Sequence, residues 1–186
     1  TKYNFFVDIL GLDISSSTIG WSVLRYSGGE IKLVSCGHIK PPPSSKGSLV
    51  YRLNSAYKQI EELLSSLGNI DDIAIEAYAN KFTKGRSSAR TIIVLSVFNE
   101  LISLACLRSL SIEPKKYAVV SVRSSLSKFF NKNISSKDDA FLAVENYFEN
   151  FKTALNRNGA LKKECYDEAD AIAVAITYIY REIINV

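Results

Sequence analysis

Methionine is absent from this 186-residue chain, histidine and tryptophan occur once each, and cysteine occurs only three times. The lack of Met includes an initiator, so Thr1 need not be the native start. Cys36, Cys106 and Cys165 are odd in number, scattered, and set in apolar or helical patterns. They read as packed thiols in a reducing, intracellular compartment, which excludes a disulfide framework or a cysteine zinc cluster. The lone histidine, His38, falls within a strand pattern and reads as structural. Prolines number four, three of them consecutive at Pro41-Pro42-Pro43, where regular structure is forbidden and an exposed connection is expected. No run approaches the roughly 18 uncharged apolar residues of a membrane span, and no cleavable signal is visible, so no membrane partner is expected.

What is present describes a globular chain: 47% hydrophobic and 23% charged residues, with a net charge of +4. The length fits one domain over residues 1–186 with a core of its own. A mild basic excess permits a polyanionic partner without demanding one.

Hydrophobic periodicity orders the chain as an α/β protein. Phe5 to Asp13, Trp21 to Tyr26 and Ile31 to Ile39 read as strands of an antiparallel meander, with Ser27-Gly28-Gly29-Glu30 as one turn. A helix with Leu53, Ala56, Ile60 and Leu64 on its stripe follows from Leu49, ending near Gly68. Ile73-Ala74-Ile75, ending at Glu76, is too brief for a helix and reads as a buried parallel strand. A long helix from about Ser88 to Leu107 comes next, then a strand from Tyr117 to Val122. A short helix to Phe130 follows, capped by Ser121 or Ser124. The helix after it carries Phe141, Val144, Phe148 and Phe151, residues 152–164 form a loop or frayed end, and a last helix spans about Tyr166 to Ile183. Three antiparallel strands followed by alternating helices and strands imply a mixed five-stranded sheet flanked by helices.

Four carboxylates stand out in that order. Asp13 lies inside an apolar strand, where an unpaired charge is expensive, so a metal ion, a hydrogen-bonding partner or a solvated cleft should compensate it. Glu76 ends its strand, and Asp167 and Asp170 open the last helix, three apart and on neighbouring parts of one face. Each has a plainer reading: a strand-end acid facing water for Glu76, first-turn acids favoured by the helix dipole for Asp167 and Asp170. Converging at the carboxyl edge of a sheet, the four would repel unless hard divalent cations lay between them. Mg²⁺ or Mn²⁺ suits such oxygen ligands, and two ions about 4 Å apart can clamp an in-line phosphodiester displacement.

Three stretches, in order, carry a resemblance: Leu10-Gly11-Leu12-Asp13 through the hydroxyl run Ser15-Ser16-Ser17-Thr18 to Gly20-Trp21; Ile73-Ala74-Ile75-Glu76; and Asp167-Glu168-Ala169-Asp170-Ala171. The chain resembles the RuvC-type Holliday junction resolvases of the ribonuclease H-like superfamily. That resemblance implies a homodimer that nicks opposing strands of a four-way DNA junction, with Asp13, Glu76, Asp167 and Asp170 as metal-binding and catalytic carboxylates. Lys137 matches a family position where a basic residue supports phosphate contact or charge stabilisation. The turn after Asp13 departs from the common bacterial Pro-Gly-Ser form, as does the loop after Glu76, which points to a divergent branch, phage or viral, acting in an infected host cell.

Independently of the resemblance, the segment from Tyr78 to Arg90 suits DNA. Lys81, Lys84, Arg86 and Arg90 can neutralise phosphates, and Tyr78 or Phe82 can stack on an unpaired base, a contact worth about 1–3 kcal/mol. Lys128, Lys132 and Lys137 form a second basic cluster. Asp13 with its hydroxyl run also looks like the phosphate-binding turn of sugar kinases and actin-like ATPases, but those need two such domains and an adenosine motif. A ribonuclease H-like RNA-processing nuclease and a catalytically inactive junction-binding protein are the remaining alternatives. The intact set of four acids argues against the second.

Overall fold

The structure, a computed structural model, describes residues 6–78 and 89–185. Strands β1 (Val7–Ile14), β2 (Ile19–Ser27) and β3 (Glu30–Ile39) form the antiparallel meander. Gly28 and Gly29, at φ 60° and 89°, occupy the two-residue turn between β2 and β3, a geometry that glycine adopts without a Cβ penalty. On the other side of β1, β4 (Asp72–Glu76) and then β5 (Lys115–Tyr117) add in parallel, giving the order β3-β2-β1-β4-β5. This is the mixed five-stranded sheet expected from the sequence.

Helices cover both faces. On one lie α1 (Leu49–Ser66) and α2 (Ala89–Leu110); on the other, α3 (Val119–Phe129), α4 (Lys137–Tyr147) and α5 (Lys163–Ile179). The strand period assigns β1 residues to these layers. Leu10, Leu12 and Ile14 share a core with Ala56, Ile60 and Ile102, whereas Ile9 belongs with Ile172 and Ile176. Gly11 and Asp13 have the parity of Ile9 and so face α5. That helix is buried nearly all round, as Ala171, Ile172, Ala173, Val174, Ala175 and Ile176 show, which accounts for its continuous apolar sequence.

Three boundaries differ from expectation. The fifth strand pairs with β4 only through Lys115, Lys116 and Tyr117, and the chain turns helical at Val119 with Ala118, not Ser121 or Ser124, at the N-cap position. Val122 and Leu126, one helical turn apart, are buried together, so a helical stripe overrides the β-branched run. Helix α4 ends at Tyr147, leaving Phe148 and Phe151 buried beyond it. Helix α5 begins at Lys163 after a Leu155–Leu161 bridge, so Asp167 and Asp170 lie past its first turn and the helix dipole does not explain them.

Helix α2 is long and apolar enough, by length and composition, to cross a membrane, with a mean hydropathy of 1.7. The uncharged-run criterion missed it because Glu100 and Arg108 interrupt the run. In the fold, Phe98, Ile102, Ala105 and Cys106 are buried with the sheet and α1, which accounts for the apolarity of that side.

Candidate active site

Strand β1 carries two aspartates with opposite fates. Asp8 faces Arg25 across the β1–β2 ladder and accepts from Arg25 Nε at 2.7 Å and Nη2 at 2.6 Å, a bidentate pair that satisfies its charge. Asp13 faces Gly20, which offers nothing to a carboxylate. What Gly20 offers is room: a Cβ there would lie 2.0 Å from the backbone oxygen of Asp167, and one on Gly11 would lie 2.1 Å from that of Ala171. The two glycines let α5 lie directly on the β1–β2 hairpin, and this close approach sets Asp167 beside Asp13.

One oxygen from each of Asp13, Asp167 and Asp170 can be chosen so that all lie within 4.8 Å of one another. Glu76 is not part of that trio, but lines the same cleft of about 400 Å³ from the end of β4. Its backbone carbonyl accepts from Nδ2 of the buried Asn99 on α2 at 3.1 Å, which fixes the strand end. Lys137 enters from the first position of α4. Ser136 and Asp139 close a capping box there: Ser136 Oγ accepts from the Asp139 N–H at 3.1 Å, and Asp139 Oδ2 accepts from the Ser136 N–H at 2.8 Å. From that fixed start, Lys137 Nζ reaches Asp170 Oδ2 at 2.5 Å and Asp167 Oδ1 at 3.6 Å. Arg123 on α3 and Lys163 on α5 also line the cleft.

The electrostatics follow from crowding acids in a low-dielectric edge. Burial, then Glu76 and Asp170, hold the Asp13 carboxyl well above its ordinary range. Burial and Asp170 push Glu76 up to about 7, opposed by Lys137 and Arg123. Asp170 is likewise raised by burial against the pull of Lys137. Burial alone would lower Lys137, but Asp170, then Asp13 and Asp167, outweigh it and raise the ammonium. Three carboxylates, Asp13, Glu76 and Asp170, held toward the protonated form even with Lys137 and Arg123 beside them mark a site short of positive charge.

A divalent cation fits this donor set. Among the described residues, Asp167 Oδ2 is buried without a hydrogen-bond partner, an expensive state for a carboxylate oxygen that coordination would relieve. The acids of this cleft offer carboxylate oxygens, the ligand chemistry of Mg²⁺ and Mn²⁺ rather than of zinc.

Of the residues expected to bind nucleic acid, Lys81, Phe82, Lys84 and Arg86 lie outside the described residues. Tyr78 is half-buried two residues after Glu76, and Arg90 is exposed in the first turn of α2. Lys128 and Lys132, also exposed, do not line the carboxylate cleft. His38 Nδ1 lies 2.6 Å from Glu168 Oε1 and ties β3 to α5. In the hydroxyl turn, the Ser17 and Thr18 N–H groups both donate to Ser15 Oγ, and the Ser15 N–H donates to Thr18 O. These amides are spent inside the hairpin, which argues against a phosphate-cradling turn of the kinase type. Arg123, Lys163 and Asn99 were missed from sequence; only the corrected start of α3 brings Arg123 to the cleft.

Residues 9–178 match the family model described as crossover junction endodeoxyribonuclease RuvC. Proteins of that name from Finegoldia magna and Ehrlichia ruminantium (strain Gardel) are each 28% identical to the chain, over 175 and 184 residues. The first alignment covers 92% of both chains, the second 94% of this one and 97% of its relative. In structure, the chain is similar to T. thermophilus RuvC in complex with a Holliday junction substrate, with a TM-score of 0.69 over 96% of both chains at 14% identity, a likeness of fold. With the family model matched over residues 9–178, from within β1 to within α5, the chain belongs to the RuvC family of crossover junction endodeoxyribonucleases.

Proposed function

We propose that this chain is a divalent-metal-dependent endonuclease that resolves four-way DNA junctions, nicking paired strands as a homodimer. The observation that carries this reading is the carboxylate cleft, with its unpartnered Asp167 Oδ2, on a member of a junction endonuclease family. Asp13, Asp167 and Asp170, with Glu76 at the end of β4, would hold two Mg²⁺ or Mn²⁺ ions. Ions bound there supply Lewis-acid stabilisation of the scissile phosphodiester and an activated water.

The remaining work falls to the chain's own side chains. The capping box holds the root of Lys137 still, so its ammonium can leave Asp170 for a phosphate oxygen at little entropic cost. Arg123 presents a guanidinium to the same cleft, where it offsets charge that develops on the phosphodiester. Asn99 keeps Glu76 at the end of β4 as the cleft fills. The dimer is supported by α2: Ile93, Val97, Leu104 and Leu107, spaced 4, 7 and 3 apart, form one exposed apolar stripe away from the core.

The direct test is a nicking assay on a synthetic mobile four-way junction with Mg²⁺, Mn²⁺ or chelator, beside duplex, DNA–RNA hybrid and structured RNA. Asp13→Asn should abolish nicking and leave junction binding largely intact. Cleavage retained by Asp13→Asn would overturn the assignment, and preferential cleavage of RNA would favour the RNA-processing alternative.

A further inference from the structure

We infer that the cavity between the N-terminus of α1 and the start of α2 is a second anion site, holding a backbone phosphate of the DNA strand that runs on from the carboxylate cleft. This rests on the junction-cleaving reading above. At the centre is Arg52, only 8% exposed. Its Nε donates to Pro42 O at 2.7 Å and its Nη2 to Ser16 O at 2.5 Å, and the guanidinium lies 5.5 Å from the Phe98 ring centroid. Among the described residues, no carboxylate lies within 4 Å of it, whereas Arg25 and Lys137 each have an aspartate. Carbonyl dipoles and a ring face soften a buried cation but leave its full charge without a counterion.

The surroundings add to that charge. Arg52 lines a cavity of about 520 Å³ shared with Arg90, Ser44 and Ser48. The 18-residue α1 begins at this wall, and Arg90 is exposed with its guanidinium unpaired by any carboxylate among the described residues. Two planar guanidinium groups and the positive end of a helix dipole make a setting for a phosphate, which a guanidinium binds through paired N–H donors. Position names the source of that phosphate. Ser15 lines the carboxylate cleft and Ser16 lines this cavity, so the hydroxyl turn that follows Asp13 is the wall between them. A strand whose scissile linkage sits at Asp13 crosses that turn and delivers a neighbouring phosphate to Arg52. Arg52 also clamps Pro42 and Ser16, and a purely bracing role is what the experiment has to separate.

The test is equilibrium binding in chelator of a synthetic junction that carries one uncharged methylphosphonate linkage, moved along the strand on either side of the nick. For the wild type, a flanking linkage should cost on the order of tenfold in affinity, as the loss of a charge-assisted contact does. Arg90→Ala should weaken binding of the unmodified junction comparably and reduce the slope of log Kd against log salt by about one. It should also make that linkage silent. Arg52→Gln should silence the same linkage; if it fails to fold by thermal melt, Ser44→Asp, which sets a negative charge on the cavity wall, takes its place.

Linkages that cost as much in these variants as in wild type, or different linkages silenced by Arg52 and Arg90 substitutions, overturn the single phosphate site while leaving junction cleavage standing. Wild type that does not bind the unmodified junction overturns both.

Discussion

Gly20→Ala places one methyl group where the structure has none to spare. A Cβ at Gly20 would lie 2.0 Å from Asp167 O and 2.4 Å from its carbonyl carbon, all backbone atoms that no rotamer change can move. Since carbon and oxygen normally approach to about 3.3 Å, α5 has to retreat from the hairpin by more than roughly 1 Å. Overpacking of this kind costs about 1–3 kcal/mol, more than the 0.4–1 kcal/mol that Gly→Ala gains by restricting the unfolded chain, so the variant should be less stable but folded. Function should suffer more. Asp13 sits opposite Gly20 and Asp167 rides on the displaced turn, while coordination distances hold to about 0.2 Å and a misplacement near 1 Å costs about a hundredfold in rate. The assay is single-turnover nicking of a junction at saturating metal, with urea unfolding in parallel. Gly68→Ala, whose Cβ would meet nothing within 4 Å, serves as the control, expected within about 0.5 kcal/mol of wild type. A Gly20→Ala protein that nicks within threefold of wild type would show that the close approach of α5 does not set the site.

Other outcomes follow from the same geometry. Because Glu76 is raised from 4.5 to about 7 and Asp13 is raised with it, the folded metal-free protein binds more protons than the unfolded chain between those values. Its melting temperature should therefore fall as pH rises from about 5 to 8, and Mg²⁺ should restore it at pH 8 but not at pH 5; a flat profile refutes the crowded-acid account. The low pKa of Asp139, about 2 and set by the Ser135 and Ser136 N–H groups, acts below that window and does not oppose the trend. Ser136→Ala removes the cap that positions Lys137 and should cost about 1 kcal/mol in urea unfolding with a disproportionate fall in nicking rate; equal nicking would mean that Lys137 needs no fixed root. Ile93→Asp with Leu104→Asp places two charges in the exposed stripe of α2 and should yield a monomer by sedimentation, while an unchanged sedimentation coefficient would assign the dimer to another surface.

Much of the architecture was legible because strands and helices leave different periods. The β1–β2 hairpin, the Gly28-Gly29 turn and the α1 stripe follow from local pattern alone, and so does the isolation of Asp13 in an apolar strand. The misreading at Tyr117 to Val122 has a local cause as well: Tyr117, Val119, Val120 and Val122 favour a strand by composition, and only the short ladder with β4 and the burial of Val122 with Leu126 decide for a helix. Asp167 and Asp170 were legible through their three-residue spacing together with the resemblance of their motif, whereas the start of α5 at Lys163 follows a short Leu155–Leu161 bridge, with Gly159 at φ 77°, in a segment that reads as a loop or frayed helix end.

By itself, then, the sequence determined the order of elements, the carboxylates worth attention and the family to which they belong. The order and the acids follow because hydrophobic period, glycine turns and misplaced charge are properties of neighbouring residues; the family came through the resemblance of three motifs in order and the family-model match over residues 9–178. Tertiary structure decided which of those acids meet. Asp13, Asp167 and Asp170 gather because Gly11 and Gly20 have no side chain to hold α5 away, Glu76 lines the cleft from a strand end tied to Asn99, and Lys137 and Arg123 arrive from helices whose starts are fixed by a cap and a core. Convergence is a property of packing across long sequence separations, and a chain read in order carries no local signal of it.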